Sequence, residues 1–154
     1  MNQQLSWSDT TERARAAVHR GTRDASRLGH NRITLPCLML GLISDRENVA
    51  SRLLSKLGVP LDSLYTDVER IALTTNPHDA AGTEKSAADT LRAVELAHAE
   101  AARLGNDYIE TEQLLIGTLL ARNRRLSAIL RSHGVLTRLV RRELAEVWRT
   151  QGTD

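Results

Sequence analysis

The chain has 154 residues, of which 41% are hydrophobic and 3% aromatic, with no phenylalanine and a formal net charge of +2. This length suffices for one compact domain, and no apolar run reaches the length of a membrane span. A single cysteine excludes an internal disulfide, and the N-terminus lacks the basic-then-apolar order of a secretory signal, so we expect a cytoplasmic protein.

After a predicted tail over residues 1–10, the first half of the chain predicts four helices. Gly29 and Gly58 follow two of them, where a glycine commonly ends a helix. Thr34 is expected to cap the second helix, with Pro36 in its first turn, and the apolar residues that follow predict a buried helix. The four predicted helices cover about residues 11–28, 34–43, 48–57 and 60–73.

The second half repeats the first at a constant offset of 76 residues, which places Leu28-Gly29 on Leu104-Gly105 and Gly41 on Gly117. Such a repeat indicates two copies of one supersecondary unit. Residues 74–85 have the composition of a loop. We therefore predict an all-α domain over residues 11–154, with eight helices in two pseudo-symmetric four-helix repeats, 11–73 and 86–150. The helices of the second repeat are predicted at about 87–104, 111–121, 124–133 and 136–150.

The sequence carries no familiar catalytic motif. There is no complete P-loop, H-E-x-x-H, C-x-x-C or G-x-S-x-G, and the five histidines are scattered along the chain. Cys37 lies within the apolar second helix and is expected to be a core residue. We predict a protein that is not an enzyme and that needs no metal or cofactor.

Charge is distributed unevenly along the chain. Residues 1–112 contain 13 basic and 16 acidic residues, whereas residues 113–154 contain 8 and 3. A basic segment of this kind can contact nucleic acid or an acidic partner, although a solvated helix face is the simpler interpretation. Nucleic-acid binding is disfavoured because the arginines concerned span three predicted elements. They are Arg122, Arg124, Arg125, Arg131, Arg138, Arg141 and Arg142.

The repeated segment resembles a known motif. Residues 104–117 read Leu-Gly-Asn-Asp-Tyr-Ile-Glu-Thr-Glu-Gln-Leu-Leu-Ile-Gly. This segment is similar to the L-G-H-x-Y-I-G-T-E-H-I-L-L-G-L motif of the Clp repeat, found in the N-terminal domain of ClpA/ClpC-type AAA+ unfoldases. Residues 28–42 match the same pattern more weakly, and Thr11-Glu12-Arg13-Ala14 resembles the family's opening T-x-R-A. The resemblance covers about residues 11–150.

The resemblance implies a binding module that recruits peptide substrates or adaptors, or that modulates a Clp chaperone-protease. The implied partners are a Clp ATPase, its protease, an adaptor or a peptide substrate. Because the chain contains no P-loop, it is expected to act as a stand-alone module without ATPase activity. No membrane partner is expected.

The resemblance also implies a phosphoarginine-type pocket in the second repeat, where the family's T-E pair matches Thr111-Glu112. Such a pocket would combine a carboxylate for the guanidinium with helix N-terminal N–H groups for the phosphoryl group. The chain departs from the motif at Glu110 and Gln113, and the first repeat has Leu35-Pro36 instead. We favour the simpler interpretation, in which Thr111 is an N-cap and Glu112 a first-turn acid. The predicted pocket comprises Ile109, Glu110, Thr111, Glu112 and Gln113.

A second family surface binds cyclic-peptide antibiotics through aromatic residues. Trp7 matches the first of these approximately, whereas Ser86 stands in the place of the second. The resemblance thus implies a possible decoy for such antibiotics, with a peptide or antibiotic surface that includes Trp7, Thr11, Arg13 and Ser86.

Overall fold

Eight α-helices make up the part of the protein that the structure describes. The computed structural model describes residues 9–74 and 80–151, without the side chains of residues 74, 80–87 and 151. The helices are α1 (Glu12–Arg27), α2 (Leu35–Ser44), α3 (Val49–Lys56), α4 (Leu61–Thr74), α5 (Ala80–Arg103), α6 (Thr111–Leu120), α7 (Arg124–Ser132) and α8 (Thr137–Gln151). The predicted all-α class is confirmed. None of the described helices combines the length and the apolarity needed to cross a bilayer.

The helix boundaries follow local capping chemistry. Thr11, Thr34 and Asn48 are the N-caps of α1, α2 and α3, and each side chain accepts a hydrogen bond from a backbone N–H in the first turn. The predicted helices therefore start within a residue or two of the observed ones. One prediction is wrong: α5 begins at Ala80 rather than at about Ala87, so residues 80–85 are helical although their composition is typical of a loop. Residues 80–87 include Ala80, Ala81, Glu84, Lys85 and Ala87, all good helix formers, so local propensity is consistent with the longer helix although Gly82 and Thr83 disfavour it.

Two glycines allow the first two helices of each repeat to cross closely. A Cβ placed on Gly41 of α2 would lie 2.1 Å from the carbonyl oxygen of Ala17 in α1. At the equivalent crossing, a Cβ on Gly117 of α6 would lie 2.2 Å from the carbonyl oxygen of Ala93 in α5. Both distances are far below van der Waals contact, so the crossings require residues without a side chain.

The two repeats complete each other through reciprocal contacts. The Thr11 N–H donates to the Ile109 carbonyl oxygen at 3.0 Å, next to a short parallel bridge between Thr10 and Ile109. In the other direction, the Thr90 hydroxyl donates to the carbonyl oxygen of Ile33, which is Ile109's equivalent in the first repeat. Helix α4 packs on α7, and α3 packs on α8. The helix pairings between the repeats are therefore reciprocal, and each repeat accepts a hydrogen bond at the matched carbonyl, although the donors are not equivalent residues.

Helices α2 and α6 form the centre of the core. Residues 35–43 of α2 are all buried, which confirms the prediction from its apolar composition. Cys37 is fully buried among them, and burial raises the pKa of its thiol. Trp148 packs against the edge of this core from α8.

Candidate binding site in the second repeat

The candidate pocket begins at the turn that leads into α6. Gly105 adopts a left-handed conformation, with φ of 76°, and turns the chain away from the end of α5. The following residues extend to Ile109, whose N–H donates to the carbonyl oxygen of Asp9 at 2.7 Å. Ile109 is 2% exposed. The segment preceding α1 therefore holds this turn in place and covers it.

Glu110 is the N-cap of α6, so the expectation that Thr111 has this role is wrong. Gln113 closes the cap, because its side-chain oxygen accepts from the Glu110 N–H at 2.8 Å. The Thr111 hydroxyl instead accepts from the N–H of Ala50 at 3.3 Å, across the boundary between the repeats. The buried Thr111 thus links α6 to the first turn of α3. The sequence around Thr111 does not predict this contact.

Glu112 lies almost entirely inside the protein. Glu112 is 4% exposed, and its Oε1 has no hydrogen-bond partner among the described residues. Burial raises the pKa of this carboxyl to about 7, and the nearby charge of Glu110 acts in the same direction. The neighbouring Gln113 is fully buried, and its Nε2 likewise finds no partner in the described part of the chain.

The first repeat has apolar residues at this position. Leu35 and Pro36 occupy the places of Thr111 and Glu112, and both are buried in the core. Glu112 is therefore a carboxylate at a position that is apolar in the other copy. Of the five residues of the predicted pocket, only Glu110 is partly exposed. The five residues lie together, and a ligand could reach Glu112 only if the surrounding side chains moved.

The predicted antibiotic surface is only partly described. Thr11 caps α1 and accepts from the Ala14 N–H at 3.3 Å, and the exposed Arg13 donates to the Glu47 carbonyl oxygen at 3.0 Å. Trp7 and the side chain of Ser86 lie outside the described residues. The antibiotic surface stays a prediction.

The seven arginines considered for nucleic-acid binding do not act as one group. Arg141 is held by Glu100, a 5% exposed carboxylate to which it donates from both Nε and Nη2, and Arg103 binds the same carboxylate. Burial opposes ionisation of Glu100, but the two arginines lower its pKa overall. In contrast, three others line a single groove: Arg122 from the connection between α6 and α7, and Arg124 and Arg131 from α7.

Residue types that could hold a metal do not converge within the described ranges. No group of three or more histidine, cysteine, aspartate or glutamate side chains is close enough there to bind one ion. His133 Nε2 lies 2.8 Å from Asp67 Oδ2, and this pair joins the end of α7 to α4 across the repeat boundary. Its position indicates a structural contact between the two repeats.

Residues 9–133 match the model of the Clp repeat N-terminal domain. The chain therefore belongs to the Clp repeat N-terminal domain family. Its curated relatives are far longer proteins. It is 29% identical over 138 residues to the chaperone protein ClpB of Oceanobacillus iheyensis, and 28% identical over 137 residues to ClpC/MecB of Bacillus subtilis. Each alignment covers 89% of this chain but only 17% of the relative.

Solved structures support the same fold. The N-terminal domain of the chaperone ClpD from Arabidopsis thaliana superposes with a TM-score of 0.71 at 21% identity, over 94% of this chain and 98% of that one. A protein from a study of a malarial secretion system superposes with a TM-score of 0.75 at 18% identity, over 90% and 94% of the two chains. The two-repeat helical fold is therefore shared with Clp N-terminal domains.

Proposed function

We propose that this protein is a non-enzymatic binding module that brings peptide substrates or adaptors to a Clp chaperone-protease, or that modulates one. The match of residues 9–133 to the Clp repeat domain is the observation that supports this most strongly. The implied partners are a Clp ATPase, its protease, an adaptor or a peptide substrate. The paired repeats, with grooves between helices, offer surfaces suited to extended or helical protein segments.

Affinity capture with the purified protein as bait, from a lysate of its own organism, tests this function. We expect enrichment of a Clp ATPase, its protease, a Clp adaptor or short-lived Clp substrates, measured by quantitative mass spectrometry. Two baits are compared with the wild type: Glu112→Ala, and Glu95→Ala as an exposed control on α5. If none of the three baits enriches a Clp component, the proposed function is wrong.

Recognition of a phosphorylated guanidinium at Glu112 is a second candidate function. It is favoured by one observation: the buried Oε1 of Glu112 has no donor among the described residues, as a site awaiting a guanidinium would require. Against it stand the burial of the carboxyl and the negative charge that Glu110 adds beside it. The simpler interpretation, a buried structural acid, remains our preference.

Calorimetric titration with phosphoarginine separates these interpretations. A functional pocket predicts saturable binding by the wild type that Glu112→Gln abolishes and Glu95→Gln leaves unchanged. Absence of binding at millimolar ligand rejects the pocket. The antibiotic decoy can be tested in the same format with a Clp-targeting cyclic peptide, although its key positions, Trp7 and Ser86, lie outside the described side chains.

A further inference from the structure

A groove of about 650 Å³ lies between the end of α6, helix α7 and the start of α8. Three exposed arginines line it, namely Arg122, Arg124 and Arg131. Ser127 and Thr137 add hydroxyl groups, and Leu119 contributes apolar surface. The salt bridges formed among the described residues include none of the three arginines. The groove therefore carries positive charge that the described part of the protein does not neutralise.

The first repeat serves as an internal comparison. There, Arg46 forms a salt bridge with Asp62 at 2.6 Å, and Arg52 forms one with Glu47 at 3.4 Å. At the offset of 76 residues, Arg46 corresponds to Arg122. The second repeat has no acid at the two matching positions, because Asp62 corresponds to Arg138 and Glu47 to Asn123. A charge-balanced surface in one copy has become a basic surface in the other.

The backbone at the edge of the groove differs as well. Arg122 has φ of 56°, a left-handed backbone conformation that residues other than glycine, asparagine and aspartate rarely adopt. The connection between α6 and α7 contains residues 121–123, whereas residues 45–48 connect α2 to α3. An arginine thus occupies the tight turn where a glycine would be less strained. The strained backbone places the Arg122 guanidinium at the edge of the groove, and backbone strain of this kind is frequent at ligand-binding sites.

We propose that this groove binds an acidic segment of a protein partner, in which aspartate or glutamate carboxylates pair with Arg122, Arg124 and Arg131. Guanidinium groups suit this task because they can bind carboxylates in a two-pronged geometry. The inference rests on the proposed function, since it identifies the chemistry of a partner for a recruiting module. Asp89 lies next to the connection between α6 and α7, where its carboxylate accepts a hydrogen bond from the Asn123 side chain at 2.9 Å.

A protein segment fits the groove better than a nucleic acid does. The lining includes the apolar residues Leu119, Val135 and Leu136 as well as the arginines, and a peptide can place apolar side chains beside its carboxylates. None of the other four arginines considered for nucleic-acid binding lines the groove, and one of them, Arg141, is bound to Glu100. Binding to a nucleic-acid backbone depends on contacts between basic side chains and many successive phosphates.

Fluorescence anisotropy with defined probes tests the proposal on the full-length protein. The probe is a fluorescein-labelled peptide of alternating glutamate and alanine, compared with one of alternating glutamine and alanine. We expect the acidic peptide alone to bind at low ionic strength, with affinity that falls as salt is added. A single-stranded oligothymidylate of equal charge is measured in parallel.

The variant Arg124→Glu/Arg131→Glu should weaken binding of the acidic peptide by about tenfold or more, because two attractions become repulsions. The variant Arg15→Glu/Arg92→Glu makes the same change in net charge at exposed positions that do not line the groove, and it should change the affinity much less. Arg122→Gly provides a third variant, which removes one charge while relieving the left-handed backbone. It should weaken binding although the protein is no less stable.

The proposal is overturned if the acidic and neutral peptides bind alike, or if both double variants lose affinity equally. Tighter binding of the oligonucleotide, abolished by Arg124→Glu/Arg131→Glu, would instead assign the groove to nucleic acid. Because these measurements use isolated probes, they can fail while affinity capture still recovers Clp components. That combination would reject the acidic segment and leave the proposed function standing.

Discussion

Replacement of Gly41 by alanine is expected to destabilise the protein by about 3 kcal/mol or more. The added Cβ would lie 2.1 Å from the carbonyl oxygen of Ala17, and this backbone atom can yield only if α1 and α2 move apart. The gain of about 1 kcal/mol in helix propensity from glycine to alanine does not offset that separation. Urea unfolding followed by circular dichroism measures the change in the free energy of unfolding.

Gly117→Ala and Gly58→Ala provide the matched comparisons. Gly117→Ala should have an effect similar to that of Gly41→Ala, since its Cβ would lie 2.2 Å from the Ala93 carbonyl oxygen. Gly58 has φ of 81° and open space around its Cβ, so alanine there costs only about 1–2 kcal/mol for the left-handed conformation. If Gly41→Ala were no more damaging than Gly58→Ala, close helix crossing would not be the reason for the paired glycines.

The second large effect concerns the pH dependence of stability through Glu112. Its pKa of about 7 in the folded protein lies above the ordinary value of 4.5, so the folded state holds a proton that the unfolded chain has lost. Stability should therefore fall as the pH rises from about 4.5 through about 7, by about 3 kcal/mol in total. At pH values above this window, the folded protein must keep a charged carboxylate in its interior.

Glu112→Gln removes this titration while it keeps the size of the side chain. The free energy of unfolding of the variant, minus that of the wild type, should rise by about 3 kcal/mol between about pH 5 and about pH 8. The change of this difference with pH isolates Glu112, because other titrating groups contribute equally to both proteins. Glu95→Gln, at an exposed position of α5, should give a flat difference. A flat difference for Glu112→Gln as well would mean that its carboxyl titrates normally.

The fold could be predicted from the sequence because its signals are local or repeated. Thr34, Asn48 and the turn glycines mark helix ends through chemistry within a few residues, and the repeat at 76 residues reveals the two units. The repeat also paired Gly41 with Gly117, although only the structure gives the reason, which is the approach of a neighbouring backbone. The prediction placed the start of α5 too late because Pro77 and Gly82 give this stretch the composition of a loop, which outweighed the helix-favouring Ala80 and Ala81.

The candidate site was less predictable because its contacts join distant parts of the chain. The hydroxyl of Thr111 meets the N–H of Ala50, and the partners of Glu100 include Arg141, both pairings that no local pattern encodes. The depth of Glu112 likewise depends on how the two repeats pack. The basic groove did leave a signal in the sequence, because its arginines belong to residues 113–154, which contain 8 basic and 3 acidic residues.

The reciprocal bonds at Ile33 and Ile109 have a consequence for how far the two repeats can differ. Each repeat accepts a hydrogen bond from the other at the same carbonyl position, so the two repeats pack on each other as two subunits would. Pairing related by a two-fold axis is the arrangement of a symmetric dimer, although the donors here differ: a backbone N–H from Thr11 and a hydroxyl from Thr90. The architecture is therefore that of a dimer of four-helix units joined in one chain. In such a chain the surface of one unit can differ from that of the other while the packing between the units is kept.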